Sequence, residues 1–173
     1  VVYALAAAGT HMLLHFDLPL PTLSVAAIKD GARFYYPDGW AKGEFREGKV
    51  HGHSGTDFKA DVGTPVFAAF PGTVVRVNWN FKMNGDCVEI EHPQTGVRTL
   101  YLHLSKVLIK PGAQVKQGQQ IAESGNTGRS FAPHLHYEIQ GLEKKKVIYS
   151  PFKSKYHQTY FRDIPSDDKA DYE

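Results

Sequence analysis

Two histidines separated by a single leucine stand in the segment HLHYE, residues 134–138. On a β-strand, side chains two positions apart point to the same side, so His134 and His136 would share one face. Two imidazoles on one face can both bind a zinc ion, which histidine commonly ligates in proteins. Two ligands do not close a zinc site, so the pair taken alone favours two surface histidines on a half-exposed strand.

A third histidine, His53, precedes Asp57 by four residues in the segment HSGTDF. This spacing would place both side chains on one face of a helix, but Gly52 and Gly55 argue against a helix there. A bent segment leading into a strand must then bring them together, with Gly55 leaving space beside a ligand. Imidazole and carboxylate both bind zinc; the alternative is that Asp57 caps a turn and His53 is solvated.

His103 lies in the segment TLYLHLS, which has the composition of a strand. Strand alternation predicts that Tyr101 and His103 share one face and that Leu100, Leu102 and Leu104 share the other. His103 would then either point to solvent opposite a leucine face or line a groove beside a metal ion.

A catalytic zinc ion takes three protein ligands and keeps one position for water. His53, Asp57 and one histidine of HLHYE would supply three ligands, which leaves His103 and the other histidine for proton transfer. Glu138 shares the face of His136 and is a candidate to hold the second ring nitrogen of a ligand, but we favour a surface role for it.

Short β-rich runs separated by turn signals make up most of the chain after residue 64, and they predict antiparallel sheets in a sandwich or barrel. No amphipathic helix interrupts them, and residues 104–115 would hold at most one helical turn. Residues 41–58 are glycine-rich and charged, which is typical of a loop. The predicted strands are TPVFAAF, GTVVRVNW, CVEIEH, RTLYLHL, QQIAESG and HLHYEIQ.

The composition is that of one soluble globular domain with short extensions, in a chain of 173 residues. A net charge of +2 implies no nucleic-acid partner. The single cysteine, Cys87, excludes an internal disulfide framework and a cysteine-rich metal cluster. The apolar stretch at residues 1–16 is too short to span a bilayer. It fits either the end of a secretory signal or an edge strand, and we favour an exported protein.

These motifs, in this order, resemble the M23 metallopeptidases, the LytM or lysostaphin-type peptidoglycan endopeptidases. HSGTDF matches their His-x-x-x-Asp motif, HLHYE their His-x-His motif and LYLHLS the motif around the intervening histidine. The resemblance runs from about residue 50 to residue 141. It implies an all-β antiparallel β-sandwich or partly open barrel of the LytM-like type, with a duplicated hybrid motif and short extra terminal segments.

The resemblance also implies a set of site residues. His53, Asp57 and His136 would bind one Zn²⁺ per chain, and His103 and His134 would be the catalytic histidines. The implied activity is hydrolysis of stem peptides or cross-links of bacterial peptidoglycan. Such an enzyme would be an exported monomer of the periplasm, cell envelope or extracellular space.

Two parts of the family pattern have no clear counterpart. The lead before the first ligand is GEFREGKVHGH, in which Arg46 and His51 do not align with the family motif. An oxyanion-stabilising tyrosine is unassigned, with Tyr35, Tyr36 and Tyr101 as candidates.

The segment GNTGRSFAPH, residues 125–134, can be interpreted in two ways. It could form the rim of a groove, with Asn126, Thr127 and Arg129 touching a peptide, or a glycine-assisted turn that leads into the ligand strand. We favour the turn for the glycines and keep Asn126 and Arg129 as substrate-binding candidates.

The predicted organisation has three parts. Residues 1–45 are an appendage, either a signal remnant or a segment that covers the groove, where His11 or His15 would offer a ligand; residues 46–150 are the peptidase domain, and 151–173 a polar tail. The alternative function is a silent or autoinhibited domain that binds cell wall or regulates other wall hydrolases. A biotinyl-type carrier domain is disfavoured because Lys82 lacks the flanking pattern of a modified lysine.

Overall fold

The computed structural model describes residues 16–20, 39–46, 49–53 and 55–142; for residues 39–46 and 49–53 it describes the backbone only. Nearly all regular structure in these ranges is β. The elements are β1 (Gly39–Arg46), β2 (Lys49–His53), β3 (Thr56–Lys59), β4 (Pro65–Phe67), β5 (Gly72–Val77), α1 (Phe81–Asn84), β6 (Asp86–His92), β7 (Val97–Val107), β8 (Gln114–Val115), β9 (Gln120–Ser124) and β10 (His134–Gly141).

An open antiparallel sheet in the strand order β3-β10-β7-β6-β5-β8 carries the site. The long strand β7 pairs with β10 and β6 over its first part and with β9 over its last residues, and β9 in turn pairs with β4. β1 and β2 form a separate two-stranded hairpin. The predicted all-β antiparallel architecture is therefore confirmed, as an open sheet.

The core lies on one face of this sheet. In β10, Leu135, Tyr137 and Ile139 alternate with polar residues and are fully buried in the main cluster of apolar side chains. The rings of Tyr137 and Tyr101 lie 5.5 Å apart between their centroids across the β10–β7 pair. The alternation sends His134, His136 and Glu138 to the opposite face, which confirms the shared face predicted for the two histidines.

The segment Phe16–Leu20 belongs to this core. The ring of Phe16 is fully buried and stacks on Phe70 with a centroid distance of 4.6 Å. Backbone hydrogen bonds hold the segment at both ends, from Asp17 N to Ala69 O and from Phe67 N to Pro19 O. Burying a phenylalanine ring stabilises a fold by about 2 kcal/mol, so these residues form part of the folded unit.

The predicted strands after residue 64 are all present, and the differences lie in two other places. Residues 41–58, predicted as a loop, contain parts of β1, β2 and β3; tertiary pairing overrides their glycine-rich, charged composition. No helical turn forms in residues 104–115, where β7 continues to Val107; the helical turn is α1 instead.

The domain boundaries stay a prediction, because most of residues 1–45 and all of 151–173 lie outside the described ranges. The groove-covering role predicted for residues 1–45, with His11 and His15, lies outside them too. Within the part that the structure describes, no helix has the length and hydrophobicity needed to cross a membrane.

Candidate active site

Asp57 on β3 and His136 on β10 face each other as neighbouring residues of an antiparallel pair. His136 Nδ1 donates a hydrogen bond of 2.8 Å to Asp57 Oδ1, and both side chains are buried. The pairing of β3 with β10 joins residues that are 79 positions apart in the chain. The sheet thus brings together two of the three predicted zinc ligands.

Glu138 holds the other nitrogen of the same ring. His136 Nε2 donates to Glu138 Oε1 at 2.7 Å, and Gln140 Nε2 contacts Glu138 Oε2. The burial of Glu138 against His136 corrects the surface role that the sequence favoured for it. Gly55 leaves the space that the His136 ring and the β10 backbone occupy, because a Cβ added there would lie 2.8 Å from His136 Nε2 and 2.5 Å from Tyr137 O.

The electrostatics of His136 follow from these partners. Burial acts to lower its pKa, but the hydrogen bonds and negative charges of Asp57 and Glu138 outweigh burial and raise the pKa to about 10. Ligation of a metal through Nδ1 would replace the proton shared with Asp57, since metals bind the neutral imidazole. Nε2 would keep its bond to Glu138, which is the usual arrangement of a metal-bound histidine.

His103 joins this face through an unusual backbone conformation. Its φ is +61°, in the left-handed region that residues other than glycine seldom adopt. The register of β7 also shifts at this point, both against β6 and against β9. Strand alternation is broken there, so His103 does not lie on the same face as Tyr101.

The predicted faces of β7 are therefore wrong at His103 and Leu104. Tyr101 and Leu104 belong to the main core, whereas Leu100 and Leu102 pack with Cys87 and Trp79 in a second cluster. The burial of Cys87 in this cluster matches its interpretation as a strand hydrophobe. The ring of His103 lies beside His134 and His136, as the groove-lining alternative required.

The rings of His103 and His134 are oriented by backbone carbonyls of one loop. His103 Nδ1 lies 2.9 Å from Thr127 O, and His134 Nδ1 lies 2.7 Å from Ala132 O. A carbonyl oxygen can only accept, so Nδ1 carries the hydrogen in both rings. In the neutral ring, Nε2 is then the nitrogen with the lone pair.

Distances place the rings of His103 and His134 close to the Asp57–His136 pair. The ring centroid of His103 is 4.8 Å from that of His134 and 5.8 Å from that of His136, and His134 Nε2 is 3.6 Å from Asp57 Oδ1. Burial, together with the charges of His136 and His134, lowers the pKa of His103 to about 4. At neutral pH the ring of His103 is therefore uncharged, and the lone pair of Nε2 can accept a hydrogen bond.

The loop between β9 and β10, residues 125–133, forms the rim of this site. It starts and ends at one bridge, where His134 N donates to Gly125 O at 3.2 Å. Asn126 and Arg129, the predicted substrate-binding residues, are exposed on it. The hydroxyl of Ser130 donates to Asn126 Oδ1 at 2.6 Å and lies 3.1 Å from His134 Nδ1. Sequence reasoning overlooked Ser130.

The third predicted ligand, His53, is the last residue of β2, and its side chain lies outside the described part of the structure. The side chains that are described contain no group of three or more His, Cys, Asp or Glu residues placed to hold a metal ion. Asp57 and His136 supply donors of the right chemistry, a carboxylate oxygen and an imidazole nitrogen. They fit zinc as two ligands of a larger set.

Tyr101 is not at the site, which corrects its candidacy for oxyanion stabilisation. Its hydroxyl is buried in the core, where it accepts a hydrogen bond of 2.9 Å from Ala69 N and lies 3.0 Å from Thr99 Oγ1. Burial raises its pKa to about 12. The other two candidates, Tyr35 and Tyr36, lie outside the described residues.

Comparison with known proteins identifies the family of this chain. Residues 51–149 match Peptidase family M23, and this range is more than half of the chain. The chain belongs to Peptidase family M23. The match contains all five residues predicted as metal ligands or catalytic histidines.

Relatives of this M23 domain include enzymes of known name. The chain is 48% identical over 99 residues to the peptidoglycan DD-endopeptidase ShyC of Vibrio cholerae, a match that covers 56% of this chain and 22% of ShyC. The chain thus spans about a fifth of the length of this relative.

Solved structures show the same fold. A zinc-containing peptidase from Vibrio cholerae superimposes with a TM-score of 0.67 at 30% identity, over 87% of this chain and 41% of the other. The catalytic domain of lysostaphin from Staphylococcus simulans superimposes with a TM-score of 0.57 at 34% identity, over 68% of this chain and 85% of the other. Both are M23-type neighbours, in agreement with the predicted LytM-like fold.

Proposed function

We propose that this chain is a zinc-dependent endopeptidase that hydrolyses stem peptides or peptide cross-links of bacterial peptidoglycan. The observation that carries the proposal is the Asp57–His136 pair, with the imidazoles of His103 and His134 on the same face. Membership of the M23 family and the name of the relative ShyC support the substrate class.

In this proposal one zinc ion per chain is held by His53, Asp57 and His136. Zinc, when bound, polarises the scissile carbonyl and lowers the pKa of water towards about 7. The chain contributes a buried carboxylate and a ring that Glu138 orients through Nε2. A partner that orients a ligand in this way also raises its affinity for the metal.

The two remaining histidines handle protons. His103 carries its hydrogen on Nδ1, bonded to Thr127 O, and therefore presents the lone pair of Nε2 to take a proton from the attacking water. His134, bonded through Nδ1 to Ala132 O, supplies the second imidazole, for proton delivery to the leaving amine or for a hydrogen bond to the developing oxyanion.

The rim residues Asn126 and Arg129 are proposed to contact the peptide. Arg129 is exposed, and its backbone nitrogen donates a hydrogen bond of 3.0 Å to Met83 O. Stem peptides carry carboxylates, which a guanidinium can bind through two parallel hydrogen bonds.

We expect Arg129→Ala to raise KM for a peptide substrate about 5- to 10-fold with little change in kcat, because an exposed ion pair adds about 1 kcal/mol of uniform binding. Steady-state kinetics on a soluble cross-linked peptide would measure this. Lys116→Ala, an exposed cation on another loop, is the control. An unchanged KM would remove Arg129 from the substrate site.

The proposed activity is tested by digesting purified sacculi with and without a zinc chelator, followed by mass spectrometry of the released fragments. We expect release of peptides that stops on chelation and returns when zinc is added back. The new termini would identify the bond. No release from sacculi of several wall types, with zinc bound, would contradict the proposal and favour the silent or autoinhibited alternative.

A substrate of this kind places the protein outside the cytoplasm, in the periplasm, envelope or extracellular space. Export, the monomeric state and a peptidase domain of residues 46–150, against which the segment Phe16–Leu20 packs, are parts of the same proposal.

A further inference from the structure

Thr127 occupies the point where three segments meet beside the catalytic face. Its hydroxyl donates a hydrogen bond of 2.5 Å to Leu104 O and accepts one of 3.0 Å from Asp86 N. Its carbonyl oxygen is the acceptor for His103 Nδ1 at 2.9 Å. Thr127 is therefore hydrogen-bonded to two successive residues of β7: to the ring of His103 and to the carbonyl oxygen of Leu104.

The surroundings leave little room for this residue to move. A Cβ added at Gly85 would lie 2.2 Å from Thr127 Oγ1, and one added at Gly128 would lie 2.2 Å from Gly85 N. The backbone of the turn after α1 thus packs directly on the rim loop. Arg129 N donates to Met83 O at 3.0 Å and ties the same two segments again.

His103 needs such support, because it is a non-glycine residue in the left-handed region, with φ +61°. A conformation of this kind costs about 1 kcal/mol or more and persists only where neighbours determine it. The bond from Thr127 Oγ1 holds the carbonyl of the following residue, Leu104, and the bond to Thr127 O holds the ring.

We propose that Thr127 is a positioning residue for the catalytic base: its hydroxyl fixes the β7 backbone, and its carbonyl fixes the Nδ1–H tautomer and the direction of Nε2. This positioning role replaces the alternative in which Thr127 touches the peptide substrate. The role of His103 as the catalytic base rests on the proposed function, whereas the hydrogen bonds of Thr127 do not depend on that function. The α1 turn is then the outer support of the catalytic histidine through Gly85 and Asp86.

The test is Thr127→Val, which removes the hydroxyl and keeps the branched shape, compared with Thr127→Ser, which keeps the hydroxyl. We expect Thr127→Val to retain zinc and fold, to lower kcat about 10- to 100-fold with KM nearly unchanged, and Thr127→Ser to restore most of it. Thr95→Val is the matched control, since its hydroxyl donates to His92 O in a turn of the same sheet.

A second measurement does not depend on activity. Nitrogen-15 NMR of the imidazoles should show the Nδ1–H tautomer of His103 in the wild type and in Thr127→Ser, and a mixture of tautomers in Thr127→Val. If the wild type proves inactive on sacculi, the proposed function would fail, but a mixture of His103 tautomers in Thr127→Val would still support the positioning role.

Three results would overturn the inference. The first is a Thr127→Val variant in which both the His103 tautomer and kcat are unchanged. The second is an equal fall of kcat in Thr127→Ser and Thr127→Val. The third is loss of zinc from Thr127→Val. If Thr127→Val does not fold, Thr127→Ala is measured in the same way, and the comparison with Thr127→Ser decides.

Discussion

Asp57→Ala is expected to abolish stoichiometric zinc binding and to lower peptidoglycan hydrolysis by about 10³-fold or more. Asp57 Oδ1 faces His136 Nδ1 at 2.8 Å, so the substitution removes one proposed ligand and leaves the other without its buried partner. The metal contributes several kcal/mol of transition-state stabilisation, and about 4 kcal/mol corresponds to that factor. Metal analysis of purified protein, together with the sacculus digest, measures both effects.

His136→Ala should behave in the same way, whereas Asp61→Ala should not. Asp61 is an exposed carboxylate four residues after Asp57, and it serves as the matched control. Glu138→Gln should be intermediate, with zinc affinity reduced about 10- to 100-fold, because an amide oxygen can still accept from His136 Nε2. Stoichiometric zinc in both Asp57→Ala and His136→Ala would refute the ligand assignment.

His103→Ala is expected to keep zinc and to lose most turnover, by about 10²- to 10⁴-fold, because it removes a general acid or base. The ring of His103 lies beside His134 and His136 but is not a proposed ligand. The measurement is kcat on a defined peptide substrate alongside zinc content.

A second variant separates chemistry from backbone strain in this experiment. Alanine at φ +61° is strained, whereas asparagine tolerates this region, and Asn78 and Asn80 adopt it in this chain. His103→Asn should therefore fold as well as the wild type and still lose turnover. Hydrolysis at the wild-type rate in His103→Asn would remove His103 from the mechanism, and loss of zinc would indicate a ligand instead.

Local patterns were sufficient to predict much of the fold and part of the site. Alternation in HLHYE correctly placed His134 and His136 on one face, because a strand paired on both sides keeps a strict period of two. The turn signals after residue 64 marked the strands for a similar reason. The space predicted beside Gly55 is also present, because a Cβ added there would lie only 2.8 Å from His136 Nε2.

Alternation failed at His103 for a physical reason. A positive φ at one residue reverses the direction of the following side chains, and only tertiary contacts stabilise it. In this protein those contacts come from Thr127 and Gly125, more than 20 residues further along the chain. The same change moved Leu104 into the core and left Tyr101 there, away from any oxyanion role.

The sequence by itself determined the residue types and their order: the His-x-x-x-Asp and His-x-His motifs, the intervening histidine and the strands that carry them. Only the tertiary structure decided the partners of His136 Nδ1 and His103 Nδ1, because those bonds join residues 79 and 24 positions apart in the chain. The pair Asp57–His136 spans 79 positions and exists through the register of β3 on β10. Strand register depends on how the whole sheet packs, which no local pattern specifies.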